Sequence, residues 1–151
     1  MKVLIAVDES QGAQEVIDAV EARTWPENSQ FRIINVVEPV AYFGSEIITP
    51  AAAEQVVAAE RECLELRKKH VEQLVQSLQN AIQSSVVSGD VLSGEIRQTI
   101  IEESNIWDAD LIFLGTHQRA GISKLFLGSV SESIAKRSNC SIDIVKNHRK
   151  N

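Results

Sequence analysis

Val3–Leu4–Ile5–Ala6–Val7 is an unbroken apolar run that ends at Asp8. A strand with one wet face alternates apolar and polar residues. A run without alternation is buried on both faces, as in a parallel sheet covered by helices. Asp110–Leu111–Ile112–Phe113–Leu114 has the same character, and Phe31 to Val37 carries Ile33, Ile34, Val36 and Val37. Between the first two runs the apolar period changes. Ala13, Val16, Ile17 and Val20 recur at helical spacing after Ser10, a residue suited to cap a helix N-terminus. The helix must stop before Pro26, because the residue preceding a proline disfavours helix.

The alternation continues. Thr49 at a cap and Pro50 at the first helical position start a long helix. Val57, Leu64, Val71, Val75, Leu78 and Ile82 share one of its faces, and Cys63 reads as a buried residue on it. Glu60, Arg61, Glu62, Arg67, Lys68 and Lys69 read mostly as solvated surface. Ser85 to Val91 is the weakest strand by composition and suits a sheet edge. Gly94 leads into a helix with Ile96, Ile100 and Ile101, and Val130, Ile134 and Ala135 mark the last helix. Ile142–Asp143–Ile144–Val145 is the last strand, with Cys140 just before it. Five strands alternating with four helices predict an α/β fold, a single-domain doubly wound sandwich with right-handed crossovers and a parallel sheet.

At 151 residues the chain is long enough to bury one core. Residues 1–147 are read as one domain and 148–151 as a short basic tail. The formal charge of −6 makes nucleic acid a poor partner. No apolar run approaches the roughly 20 residues that cross a bilayer, and the first apolar run is too short for a signal peptide. No membrane association and a cytoplasmic protein are the expectations. Cys63 and Cys140 show no metal-ligand spacing with each other or with the histidines, so reduced, structural thiols are expected.

In sheets of this kind ligands bind beyond the carboxyl ends of the strands, where the winding reverses. The eligible loops follow Val7, Val37, Val91 and Leu114. After Val7 come Asp8 and Ser10. After Leu114, Gly115 opens a loop holding His117, Arg119, Ser123 and Lys124, which Gly128–Ser129 closes at a helix start. A strand, a glycine-rich loop and a helix N-terminus are the usual parts of an anion site. Each part also has a plainer role. Gly115 reads equally as a strand end, Asp8 as a cap for the first helix, and Val36 as core or pocket wall. Ser129 with Glu132 fits a capping box. No nucleophile is paired with His117, and there is no Walker lysine motif. An enzyme, at most a slow ATPase, is therefore the least expected reading.

These blocks resemble universal stress proteins of the UspA type over essentially the whole chain. The likeness is carried by Val3–Leu4–Ile5–Ala6–Val7–Asp8–Glu9–Ser10, by Asn35–Val36–Val37–Glu38–Pro39, by Ala109 to His117, and by Leu125–Phe126–Leu127–Gly128–Ser129–Val130–Ser131–Glu132. The resemblance implies a five-stranded parallel sheet in the order 3-2-1-4-5, a homodimer formed by pairing the last strands, and a cytoplasmic stress-response role. Nucleotide-binding members share glycine, two residues, glycine, nine residues, glycine, then serine or threonine. Here Gly115, Arg119 to Leu127, and Gly128–Ser129 keep the spacing, while Gln118 replaces the second glycine.

The resemblance further implies an ATP site, with Mg²⁺, formed by Ala6, Val7, Asp8, Val36, Leu114, Gly115, His117, Gln118, Gly128, Ser129, Val130 and Ser131. Asp8 would meet the ribose and Val36 the adenine. The backbone from Gly115 to Gln118 and from Gly128 to Ser131 would hold the phosphates. A glutamine forced to positive φ at position 118 costs about 1–3 kcal/mol. Its side chain would also crowd the phosphates, although its amide can donate and Arg119 and Lys124 add positive charge. Two readings stand: a nucleotide-binding regulator, or a stress protein without ATP that acts through protein contacts. The apolar edge of Ile142, Ile144 and Val145 invites a second copy, unless Asp143 guards it.

Overall fold

A computed structural model describes residues 1–10, 12–39, 50–83, 85–115 and 128–146, of which residues 50–53 are described by their backbone and not their side chains. The elements are β1 (Lys2–Val7), α1 (Gly12–Glu21), β2 (Gln30–Val37), α2 (Pro50–Ala81), β3 (Val86–Ser93), α3 (Ile96–Ile106), β4 (Leu111–Gly115), α4 (Ser129–Arg137) and β5 (Ser141–Val145). All strand pairs are parallel, in the order β3-β2-β1-β4-β5. The doubly wound architecture and its order are those expected, and the weak strand β3 does lie at an edge. The segments 40–49 and 116–127, with Tyr42, Phe43, Gly44, Thr49, His117, Gln118, Arg119, Ser123 and Lys124, fall outside the described residues, as do 147–151.

Strand alternation divides the core in two. Val3, Ile5 and Val7 of β1, Phe31 and Ile33 of β2, and Leu111 and Phe113 of β4 face α1 and α2. Leu4, Ala6, Ile34, Ile112 and Leu114 face α3 and α4. From Val3 to Val7 and from Leu111 to Leu114 the central strands β1 and β4 are wholly apolar because both their faces are covered. Trp25, just after α1, meets Phe31 and Phe113 edge-on and donates its indole N–H to the Val20 carbonyl at 2.9 Å.

Helix α2 departs from its sequence reading. Val71, Leu74 and Leu78 are buried, but Val57 and Leu64 on the same face are exposed, and Cys63 is exposed rather than buried. A 32-residue helix is about 48 Å long, whereas an eight-residue strand spans about 26 Å. The apolar pattern continues past the point where there is sheet to cover. Arg67 departs in the other direction: it sits at that point and is half-buried, not solvated.

Candidate functional site at the switch point

The winding reverses between β1 and β4. The crossover from β1 leads to β2 on one side, and that from β4 leads to β5 on the other. The register pairs Ala6 with Leu114, so Asp8 and Gly115 emerge together at the carboxyl end of the sheet. By strand alternation Asp8 lies on the face of Leu4 and Ala6, the face that α4 covers.

Ser10 caps α1, as its position suggested. Its hydroxyl accepts from the Gly12 amide at 3.1 Å and its carbonyl accepts from Ala13 at 3.1 Å. Asp8 holds Ser10 in turn. One carboxylate oxygen, Oδ1, accepts from the Ser10 amide at 2.9 Å and from the Ser10 hydroxyl at 2.6 Å. Asp8 therefore supports the cap from one residue further back, on an exposed turn.

The turn is tied from below. Asn35 is buried on β2, where its Nδ2 donates to the Val7 carbonyl at 3.0 Å and its Oδ1 accepts from Arg67 Nη1 at 3.2 Å. Arg67 also forms an ion pair with Glu9. These three residues were missed as a site in the sequence. The signal was an asparagine interrupting the apolar run Ile33–Ile34–Asn35–Val36–Val37.

On the β4 side, Gly115 is the last residue of its strand and pairs with Val145. Gly128 is the N-cap of α4. The capping box expected of Ser129 and Glu132 is not formed. Ser129 is already helical, and the Glu132 carboxylate accepts from Lys136 Nζ at 2.6 Å. A glycine has no side chain to cap with, so the first turn of α4 receives no cap from this position. Gly128 has φ −57° and ψ 150°, which any residue adopts. A Cβ built there would meet nothing closer among the described residues than Ser131 Oγ at 4.0 Å. Neither backbone nor packing of the described residues requires glycine at this place.

Ala6, Val7 and Leu114 are buried strand residues that form the floor. Val36 is half-buried against the α3–α4 core, so it is core on one side and wall on the other. Val130 packs on that same core and Ser131 is buried, while Ser129 is exposed. The structure thus places Asp8 and Gly115 at one end of the sheet and packs Val130 on the core of the face that Asp8 shares, whereas His117 and Gln118 lie outside the described residues. Among the described residues no cluster of histidine, cysteine and carboxylate side chains is arranged to hold a metal ion. No described helix is long and apolar enough to cross a membrane.

At the far edge, Ile142 packs on the α3–α4 core and Val145 on the α1–α2 core. The carboxylate of Asp143 turns to the α1 face and pairs with Arg23.

The fold recurs in known proteins. The chain is 31% identical over 150 residues to universal stress protein Sll1388 of Synechocystis, covering 96% of this chain and 97% of that protein. The solved structure of hypothetical protein MJ0577 superposes with a TM-score of 0.79 at 21% identity, covering 99% and 97% of the two chains. A universal stress protein in complex with cAMP shares the fold at a TM-score of 0.62 and 16% identity, over 98% of each chain. An Arabidopsis thaliana member with AMP bound does so at 0.61 and 13%, over 99% of this chain and 93% of the other. The model of the universal stress protein family matches residues 1–146, and with this sheet order and switch point the chain belongs to that family.

Proposed function

We propose that this protein binds an adenine nucleotide at the switch point and acts as a cytoplasmic, homodimeric regulator in the stress response. The observation that carries the proposal is Gly128. A glycine that neither its backbone conformation nor the packing of the described residues requires stands at the N-terminus of a helix, on the face where Asp8 emerges. Helix N-termini attract anions through unpaired N–H groups and the helix dipole, and a bound phosphate would fill the volume a side chain would take. The cAMP and AMP held by two proteins of this fold support the same ligand class. In this reading Asp8 meets the ribose, Val36 the adenine, and Gly115 with Gly128–Ser131 the phosphates. Mg²⁺ would accompany ATP. The second copy would join along β5, whose outer edge has no partner strand among the described residues.

Calorimetric titration with Mg·ATP and with AMP tests the proposal. Binding is expected, and Gly128→Ala is expected to lose at least about tenfold in affinity. That variant should cost at most about 1 kcal/mol in stability through its weaker N-cap preference. The absence of both heat and a thermal shift at millimolar nucleotide would overturn it. The second reading, a member acting only through protein contacts, rests on Gln118. It is favoured if the wild type is inert and Gln118→Gly binds.

A further inference from the structure

The turn that presents Asp8 is fastened on both sides by residues from other elements. Asn35 is 2% exposed and points to the same face as Phe31 and Ile33, where an amide costs free energy unless it is bonded. It holds the Val7 carbonyl, directly before Asp8, at 3.0 Å. Arg67 holds the Glu9 carboxylate, directly after Asp8. The Asn35–Arg67 bond of 3.2 Å joins the two holds into one chain. Arg67 stands where α2 leaves the sheet, between exposed Leu66 and buried Val71, and only 21% of its side chain is exposed. A guanidinium this far removed from water keeps its partners, because an unpaired charge there is costly.

We propose that Asn35 and Arg67 are positioning residues that brace the β1–α1 turn, so that the presentation of Asp8 at the switch point depends on the seat of α2. The consequence for ligand binding rests on the nucleotide reading above. The brace itself does not. It fits the chemistry of its members: one buried amide has a donor for a strand carbonyl and an acceptor for a planar, always charged donor group.

Amide exchange and Mg·ATP titration of Arg67→Met test the brace, since methionine keeps most of the apolar stem. The amides of Ser10 and Gly12 report the turn, because they are bonded to the Asp8 and Ser10 side chains. They are expected to exchange about tenfold faster, while Ile112 and Phe113 in the central strand keep their protection. Affinity for Mg·ATP should fall by a similar factor. Arg67→Lys should recover part of both effects, since an ammonium keeps the charge but not the reach and planar rigidity of the guanidinium. Glu9→Gln, on the exposed side of the pair, gives a milder form of the same pattern if Arg67→Met does not fold. Wild-type exchange at Ser10 and Gly12 would overturn the brace. So would acceleration at all amides together, which marks a merely structural role. A loosened turn with unchanged affinity would overturn its role in positioning Asp8. A wild type that binds no nucleotide removes the function proposed above, and the exchange pattern then decides the brace alone.

Discussion

Gly89 illustrates how much a single position decides. A Cβ there would lie 2.6 Å from both Val71 Cγ1 and Val75 Cγ2. These side chains are the first buried turn of α2, so the helix rests directly on the backbone of β3. In the sequence this glycine only weakens a strand. In the structure it sets the distance between two elements. Gly89→Ala is expected to destabilise the protein by about 1–3 kcal/mol through overpacking, read as a lower denaturant midpoint with an unchanged slope. A loss below about 0.5 kcal/mol would mean that α2 yields instead. Gly94 has a different reason: its φ of 154° lies where side chains are strained. Gly128 has neither reason among the described residues, and the proposed nucleotide would supply one.

At the scale of elements, the strands were legible because burial on both faces leaves an apolar run that needs no context. Helix termini were less so. Gly94 does lead into α3, but the cap itself is Glu95, which accepts from the Gln98 amide at 2.8 Å. Arg97 donates to the same carboxylate at 2.7 Å. That bond first, and the Gln98 amide second, hold the Glu95 carboxyl below its ordinary range. A carboxyl whose folded pKa is depressed contributes stability above its unfolded pKa and loses it as the pH falls through the folded value. Glu95→Ala should therefore melt lower than wild type near neutral pH. The difference should close in acid, below the ordinary carboxylate range. A gap that stays constant from neutral pH into acid would show that the cap does not act through its charge.

At the scale of the whole molecule, a sheet with two edges leaves β3 and β5 as its outer strands. Ile142 and Val145 are used in the protomer's own cores, and Asp143 is engaged with Arg23. Ile144 belongs to neither core cluster, so the proposed dimer draws on it and on the strand's free backbone groups. Light scattering at micromolar concentration should give the mass of two chains, and Ile144→Lys the mass of one with the fold retained. A wild-type monomer would refute the β5 dimer.

Much of this protein was determined by its residues in order. Runs such as Val3–Val7 specify strands buried on both faces, and their alternation with helical periods specifies a doubly wound sheet. The switch point at Asp8 and Gly115 follows from that topology. Periodicity is a local property, however, and tertiary structure decided what depends on distance between elements. The stripe from Val57 to Leu78 is uniform in sequence, yet only the part from Val71 onward is covered, because the helix is longer than the sheet. Arg67 looked like one more solvated charge until the fold placed it over Asn35 and Glu9. Ser129 and Glu132 match a capping box in spacing, but backbone geometry makes Gly128 the N-cap and leaves it without a side-chain cap.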